Sequence, residues 1–375
     1  MNKKFKLPKK YKNKKNFNSI GVMSGTSIDG IDLCYMKTNG TNKVKIINEK
    51  TYKYRKEYVN KIKKFIKNYN FKRINLNKKF NLIITKEFQK KISKFLIDFK
   101  IKVNKIDFIV ISGQTIIHNP KKKLSIQYAL PKILSNQLKV NIIYDLRQRD
   151  ILAGGQGAPI ASYYHKYLSN KINKKVAFIN IGGISNISYI NNNELISFDL
   201  GPGNSLVDDF VQKKFKKNYD FNGIISNKGK CNNKILNQFL KDSFFKKKYP
   251  KSLDREYFNK YFQSITKINK YDALTTLSMM TVKSIYKGIK LLNKKIDIII
   301  LTGGGRKNQF FYNNLKNILN KKIITTEQIG LDGDLIEAQA FAYIGIRSVK
   351  NLPLSKFTTT GVSKPISGGE YYLFN

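Results

Sequence analysis

Two short stretches of similar design decide the interpretation of this chain: IGVMSGTSIDGIDLCYM at residues 20–36 and FINIGGISNISYI at residues 178–190. Each has an apolar run, a turn of small and polar residues, and a second apolar run, the pattern of a β-hairpin. Helical and strand patterns alternate along the rest of the chain, which indicates an α/β protein. A hairpin repeated in this way predicts two related domains, each presenting a glycine-rich tip to a shared cleft.

The pattern outside the hairpins predicts the remaining elements. Helices are predicted at about 55–70, 77–100, 272–292 and 335–349, from Pro159 towards Tyr167, and from about 307. Strands are predicted at 106–111, ending in SGQT, and at 140–144, 176–181, 297–301 and 323–325. The predicted domains are a solvated basic N-terminal extension at 1–16, a first domain at 17–145 to which 351–375 return, and a second at 146–350.

The net charge of +47 would suit a nucleic-acid or anionic-membrane partner, because a basic surface releases counterions from a polyanion. Of the 71 basic residues, however, only seven are arginine, the residue that makes bidentate contacts with bases. The lysines are spread along the chain among many Asn and Ile residues, as AT-rich codons would produce. We therefore interpret the charge as compositional and predict no specific nucleic-acid partner.

The rarer residues and the apolar segments exclude several classes of protein. Two cysteines cannot build a disulfide framework, and two histidines leave too few ligands for a Cys/His zinc site. The longest apolar runs have the length of a strand, and the N-terminus lacks the apolar core of a secretory signal. The predicted location is the cytoplasm, with no membrane association.

The tip of the first hairpin has the composition of a phosphate-binding turn. Its glycines let backbone N–H groups approach phosphate oxygens, and Ser24, Thr26 and Ser27 add hydroxyl donors. It is not a Walker loop, because no Lys-Ser/Thr pair follows and the next element is a strand. Asp29 and Asp32 are placed where a hydrated magnesium ion could be held.

A plain structural turn remains the alternative for that tip taken alone. Two further glycine clusters shift the interpretation towards a nucleotide: Gly182-Gly183 in the second hairpin and Gly303-Gly304-Gly305 after a buried strand. Three glycine-rich turns could contact the phosphates and let an adenine ring pack against backbone.

Eight motifs, in order, resemble those of the anhydro-N-acetylmuramic acid kinase family. The resemblance runs from about Ile20 to Gly368, and each motif is weak alone but specific in this series. They are GVMSGTSIDGID, SGQTIIHNP, DLRQRDILAGGQGAP, NIGGISNIS, FDLGPGNSLVD, PKSLDREYF, LTGGGRKN and IEAQAFA.

The resemblance implies the fold of the sugar kinase, Hsp70 and actin superfamily, an α/β fold with two ribonuclease-H-like domains around a nucleotide cleft. It implies a phosphotransferase that uses ATP and magnesium to phosphorylate 1,6-anhydro-N-acetylmuramic acid while hydrolysing its 1,6-anhydro ring. The product would be N-acetylmuramic acid 6-phosphate, in peptidoglycan recycling and amino-sugar metabolism. The implied partner is this small sugar, and a homodimer is expected from the resemblance alone.

The resemblance also assigns the ATP-binding residues by motif. Asp29 would hold magnesium through water. The residues expected from the resemblance to contact ATP are Gly25, Thr26, Ser27, Ile28, Asp29, Gly30, Ile31 and Asp32. The glycine clusters described above add Gly182, Gly183, Gly303, Gly304 and Gly305 as expected ATP contacts.

Two carboxylates match the family's reacting groups. Asp150 matches the general base, and Glu337 matches an acid that contacts sugar and water. Asp145 is the competing carboxylate, which could instead cap or orient its loop. Three polar residues are candidate contacts of the sugar or of its loops: Gln114, Thr115 and Asn204.

The chain departs from the family pattern at four positions, and these departures affect expected sugar contacts more than the reaction class. They are Ser112, Leu200, Ala129 and Leu130. His118 and His165 match family histidines, but either could be a hydrogen-bonded structural residue.

Two other functions compete with the kinase. A nucleotide-switch protein of the same superfamily would have no reason to carry the DLRQRD and GGQGAP segments. A polyanion-binding protein would use the lysines but would leave the eight motifs unexplained.

Overall fold

The computed structural model describes residues 11–374 and resolves them into two sheets with helices. The strands, numbered along the chain, are β1 (Phe17–Ser24), β2 (Gly30–Thr38), β3 (Val44–Lys53), β4 (Phe108–Asn119), β5 (Leu124–Tyr128), β6 (Ile142–Tyr144), β7 (Val176–Ile181), β8 (Ile184–Asn191), β9 (Glu194–Pro202), β10 (Ile298–Thr302), β11 (Lys322–Thr325) and β12 (Glu370–Tyr372). The α-helices are α1 (Lys56–Lys67), α2 (Ile74–Asp98), α3 (Pro131–Leu138), α4 (Gln148–Leu152), α5 (Ser162–Ser169), α6 (Ser205–Phe215), α7 (Asn233–Leu240), α8 (Ser243–Lys246), α9 (Phe262–Ile265), α10 (Lys270–Leu292), α11 (Gln309–Leu319), α12 (Ile336–Val349) and α13 (Phe357–Thr360).

The described residues form two compact units. The first contains the chain up to Tyr167, Leu335–Phe357, and the chain from Gly361 onward. The second contains Leu168–Asp334 and Thr358–Thr360.

The sheet of the first unit has the order β12-β6-β4-β1-β2-β3, with β5 added to β4. β1, β2 and β3 are antiparallel neighbours, whereas β4 runs parallel to both β1 and β6. Helices connect the parallel strands, as a crossover requires. Ile84, Phe88 and Phe95 of α2 are fully buried in the core of this unit.

The sheet of the second unit has the order β11-β10-β7-β8-β9. β7, β8 and β9 are antiparallel neighbours, and β10 runs parallel to β7 and β11. The order and directions of these five strands therefore repeat those of β6-β4-β1-β2-β3 in the first unit. The prediction of two ribonuclease-H-like units built on duplicated hairpins is confirmed.

Helix α12 packs unusually close to β1. A Cβ placed on Gly21 would lie 2.0 Å from the carbonyl oxygen of Ala338 and 2.5 Å from the backbone N of Ala342. Any side chain at residue 21 would therefore overlap backbone atoms, which cannot move independently of the helix. The glycine fixes the start of α12 against the strand that leads into the first tip.

The limits of these units differ from the predicted domain limits at 145/146 and 350/351, because the first unit extends to Tyr167 and includes Leu335–Phe357. Arg149 makes a salt bridge to Glu370 at 2.8 Å, and the Tyr164 hydroxyl donates to Gln339 Oε1 at 2.8 Å. These contacts hold the segment after β6 in the first unit. Helix α12 belongs there too, because it packs on β1, β2 and β4.

The predicted solvated extension at 1–16 is partly wrong. Residues 1–10 lie outside the described part of the chain. Tyr11 is 5% exposed, with its ring 5.1 Å from that of Phe108, and Lys14 pairs with Asp107 at 2.6 Å. Tyr11 is therefore packed against the first sheet and Lys14 is paired beside it, whereas Lys12 and Asn13 are exposed as predicted.

Two element limits also differ from their predictions. Strand β4 runs through SGQT to Asn119 because β5 pairs with it, so the motif lies within a strand. The helix predicted to open at Pro159 begins at Ser162. None of the helices among residues 11–374 has enough continuous apolar sequence to cross a bilayer.

Candidate active site

The turn between β1 and β2, residues 25–29, is called the first tip. The Ile28 N–H donates to the Gly25 carbonyl at 3.2 Å, and Ile28 has a φ of +57°. A β-branched residue in the left-handed region is sterically unfavourable, so its surroundings must impose this conformation. Because Ile28 is only 2% exposed, core packing fixes the tip. Thr26, Ser27 and Asp29 remain exposed at its surface.

The two carboxylates predicted near magnesium have different surroundings. Asp29 is exposed and accepts a hydrogen bond from the Ser27 hydroxyl at 2.8 Å. Asp32 is half-buried and accepts from the Thr51 hydroxyl at 2.6 Å. Across residues 11–374 no group of three Asp, Glu, His or Cys side chains is arranged to hold a metal. Magnesium on a nucleotide needs only one or two carboxylates with phosphates and water, so Asp29 fits that ion.

In the second unit, Asn204 joins the two predicted glycine turns. Its N–H donates to the Gly182 carbonyl at 2.7 Å, and its Nδ2 donates to the Ile181 carbonyl at 3.0 Å. A Cβ on Gly305 would lie 3.0 Å from Asn204 Oδ1. The turns at 182–183 and 303–305 are therefore neighbours, and Asn204 connects them.

Some of these glycines have open space where a side chain would be. A Cβ on Gly25 would meet only Ser27 Oγ, at 3.5 Å, and one on Gly304 only Asn204 Nδ2, at 3.8 Å. Folding does not require a glycine at either position, since neither has a positive φ. The missing side chains leave backbone accessible to a ligand.

Arg306 holds the third glycine turn and was not predicted as a site residue. It is 3% exposed, and its Nη1 donates to the Gly303 carbonyl at 2.9 Å and to Asp334 at 2.6 Å. Glu327 accepts from the other side of the guanidinium, at 2.8 Å from Nε. A basic residue directly after GGG, with acidic residues at 327–334, was the available sequence signal.

Asp150 lies in α4 and is 5% exposed. Its Oδ1 accepts the Gly157 N–H at 2.6 Å, and a Cβ on Gly155 would come within 2.2 Å of the same oxygen. The GGQGAP segment thus closes around the carboxylate. Asp150 is held in one orientation by backbone, as a positioned proton acceptor must be.

Asp145 has a supporting position in the same segment. It adopts a φ of +50°, and its Oδ1 accepts the Gln148 N–H at 3.3 Å, at the start of α4. Burial, more than the nearby charge of Glu370, raises the pKa of its carboxyl group. These contacts suit a residue that shapes the loop.

Next to this loop, Arg147 Nη1 donates to the Gly157 carbonyl at 2.7 Å. His118 Nδ1 lies 3.0 Å from Ser125 Oγ. Burial, aided by the charge of Arg147, lowers the pKa of His118 to about 4. Its imidazole is neutral at physiological pH.

Glu337 occupies the first turn of α12 and is half-buried, where a negative charge also suits the helix dipole. It precedes Ala338, the residue that approaches Gly21. The close packing of α12 on β1 thus fixes the segment that carries this carboxylate.

Two departures from the family pattern have a structural explanation. Leu200 is buried, and a Cβ on Gly288 of α10 would lie 2.1 Å from its Cδ2, so this leucine is a core residue. Ser112 Oγ accepts the Ser24 N–H at 3.1 Å, at the base of the first tip. Thr115 is half-buried in β4, and nothing in its contacts explains a role with substrate.

The two imidazoles provide a pH test of this structure. Burial lowers the pKa of both His118 and His165 to about 4, against ~6.5 in an unfolded chain. The unfolded state therefore binds more protons between these pH values, and stability is lost as pH falls through about 6.5 to 4. In NMR titrations, both imidazole Cε1–H signals should shift only near pH 4, and His118→Gln should remove one of them. A midpoint near 6.5 for either would contradict its burial.

The family model of anhydro-N-acetylmuramic acid kinase matches residues 17–373. The anhydro-N-acetylmuramic acid kinase of Pelagibacter ubique is 37% identical over 95% of this chain and 98% of its own. The anhydro-N-acetylmuramic acid kinase of Zymomonas mobilis is 32% identical over 94% of this chain and 99% of its own. Among solved structures, component A of (R)-2-hydroxyglutaryl-CoA dehydratase from Acidaminococcus fermentans matches with a TM-score of 0.47 at 10% identity, covering 89% of this chain and 99% of its own.

Proposed function

Because the chain belongs to the anhydro-N-acetylmuramic acid kinase family and is a kinase, we propose that it phosphorylates 1,6-anhydro-N-acetylmuramic acid with ATP while hydrolysing the anhydro ring. The single observation that carries the hydrolytic step is the buried Asp150 carboxylate, fixed by the Gly157 N–H at 2.6 Å. Family membership alone supports sugar phosphorylation, and Asp150 adds the base that a water nucleophile needs.

Ring opening and phosphoryl transfer share one oxygen atom of the sugar, O6. Water attacks C1 of the sugar and loses a proton to Asp150 as the C1–O6 bond breaks. O6 keeps the electrons of that bond and attacks the γ-phosphorus of ATP, and ADP leaves. The products are N-acetylmuramic acid 6-phosphate and ADP, so no further proton donor is required at O6.

Asp150 has the surroundings that this role requires. Its near-complete burial limits competing hydration, and its backbone hydrogen bond holds the carboxylate in one orientation. Glu337 is proposed to contact the sugar and the attacking water.

The first tip is proposed to bind ATP phosphates through backbone N–H groups and the hydroxyls of Thr26 and Ser27. The open space at Gly25 supports this role. Asp29 would hold magnesium through water, and that ion would neutralise charge on the phosphates. In the second unit, the turns at 182–183 and 303–305 are proposed to contact the nucleotide, with Asn204 and Arg306 as their supports.

We place the proposed reaction in peptidoglycan recycling, because its substrate is a derivative of N-acetylmuramic acid, a sugar of the cell wall. The need for ATP and two unpaired cysteines support the cytoplasm as its location.

The proposal is tested by coupled measurement of ADP release with 1,6-anhydro-N-acetylmuramic acid, with N-acetylmuramic acid, and without sugar. We expect release with the anhydro sugar alone. Sugar-independent release would favour the nucleotide-switch alternative, and release with N-acetylmuramic acid alone would remove the ring-opening step.

The polyanion alternative makes its own prediction. If the charge of +47 is compositional, duplex DNA should bind weakly, without sequence preference, and should dissociate by roughly 200 mM salt. Fluorescence anisotropy with two unrelated duplexes at low salt and at that salt measures both properties. A complex that survives and distinguishes the two sequences would support a nucleic-acid function.

A further inference from the structure

Gln114 lies in β4 opposite Ser24 of β1 and is 1% exposed. Its Oε1 accepts a hydrogen bond from Ser24 Oγ at 2.8 Å. Its Nε2 donates to the carbonyl oxygen of Gly25, the first residue of the first tip, at 3.2 Å. Both ends of the amide are thus bonded to the segment that enters the tip.

A buried hydrogen-bond chain extends from this amide. The Tyr54 hydroxyl donates to Ser24 Oγ at 3.1 Å, and Ser24 Oγ in turn donates to Gln114. Burial raises the pKa of the Tyr54 phenol well above its ordinary value, so it remains a neutral donor. The direction of the chain is consistent from Tyr54 to the Gly25 carbonyl, and such a satisfied network holds its members rigidly.

The Gly25 carbonyl determines where the next N–H group points. A peptide unit is planar and trans, so its C=O and N–H point in opposite directions. The Gly25 oxygen accepts from both the Ile28 N–H within the tip and Gln114 Nε2 outside it. Because of the bond to Gln114, the N–H of Thr26 points away from Gln114. Thr26, the residue that carries this donor, is exposed.

We infer that Gln114 is a positioning residue for ATP binding, which fixes the Gly25–Thr26 peptide so that its N–H faces a phosphate. This inference rests on the proposed phosphate role of the first tip. It replaces the predicted contact between Gln114 and the sugar, since a sugar hydroxyl would meet a buried amide already bonded at both ends. Loss of this one anchor should weaken ATP binding about five- to tenfold, the equivalent of a net hydrogen bond.

The experiment compares Gln114→Met and Gln114→Glu with the unchanged protein. Gln114→Met removes both hydrogen bonds, and Gln114→Glu keeps the shape while replacing the Nε2–H donor with an acceptor. Calorimetry gives the Kd of ATP without sugar, and steady-state kinetics give KM for each substrate. The control is Gln89→Met, which removes a side-chain amide on α2 that bonds Gln137 at 3.3 Å.

We expect both Gln114 variants to raise the Kd and KM of ATP with the sugar KM within about twofold, and Gln89→Met to change neither. A rise confined to the sugar KM would restore direct sugar contact and overturn the inference. Unchanged constants for ATP and for the sugar would overturn it as well, and so would an equal rise in the KM of ATP and the KM of the sugar. If Gln114→Met does not fold, Gln114→Glu decides by the same criteria.

A parallel measurement on Gly25→Val distinguishes this failure from that of the proposed function. Normal ATP affinity in Gly25→Val would reject the phosphate role of the tip itself. Weakened affinity there, with normal affinity in the Gln114 variants, would reject only the positioning role.

Discussion

Asp150→Asn should lower kcat by about 10²–10⁴-fold while ATP and the anhydro sugar still bind. Water is a poor nucleophile towards an acetal carbon, and the carboxylate assists by taking its proton as the bond forms. The asparagine oxygen can still accept the Gly157 N–H that fixes Asp150 at 2.6 Å, so the loop should keep its shape. Because the lost interaction belongs to the transition state, kcat should fall with little change in KM.

The matched control is Asp145→Asn, in the same segment. Asp145 accepts the Gln148 N–H at the start of α4, which is a contact with the loop itself. This variant should show lower thermal stability or a raised KM, with much of its kcat retained. Near-normal turnover in Asp150→Asn beside a folded but inactive Asp145→Asn would reverse the two roles. Normal turnover in both would remove the DLRQRD segment from the mechanism.

Gly25→Val should fold normally and bind ATP at least about tenfold more weakly, a loss of ~1.4 kcal/mol. Its added side chain would lie where only Ser27 Oγ is within 4 Å, so the fold has room for it. A phosphate approaching the backbone does not have that room. Isothermal titration calorimetry with ATP measures the loss, and circular dichroism checks the fold.

The contrasting substitution is Gly21→Val, four residues earlier. There the first added carbon would lie 2.0 Å from the Ala338 carbonyl oxygen. The overlap involves the backbone of α12, so the destabilisation should exceed the ~1–3 kcal/mol usual for an overpacked core. Unchanged ATP affinity in a folded Gly25→Val protein would reject the phosphate role of the tip, and a Tm near normal in Gly21→Val would contradict the close packing of α12.

Sequence alone predicted strand β7, whose residues are buried on both faces. Strand β7 matches its predicted limits because a fully buried strand has a mainly apolar sequence, interrupted here only by Asn180, and ends at a glycine turn. Strand β3 was not predicted, because it is an edge strand whose lysines and exposed Ile47 blur the alternation.

The roles of Gln114 and Arg306 could not be predicted in the same way. Gln114 acts through a hydrogen bond to a residue 89 positions away, and only the pairing of β4 with β1 brings the two together. An amide in the SGQT motif equally suggests a sugar contact. Arg306 is defined by carboxylates that approach it from residues 327–334, and spacing along the chain does not reveal that contact.

The assignment of Asp150, Glu337 and the ATP-binding residues stays a prediction that the geometry supports. Asp150 and its loop were identified by resemblance, and the structure adds the backbone bond that orients the carboxylate.

The central claim, that phosphorylation and ring hydrolysis occur together, is tested most directly by the mass of the phosphorylated product. Incubation with ATP and 1,6-anhydro-N-acetylmuramic acid should yield a sugar that has gained one phosphoryl group and one water, in equal amount to ADP. A product that has gained the phosphoryl group without the water would retain its anhydro ring, with the phosphate on another hydroxyl, and would contradict the account.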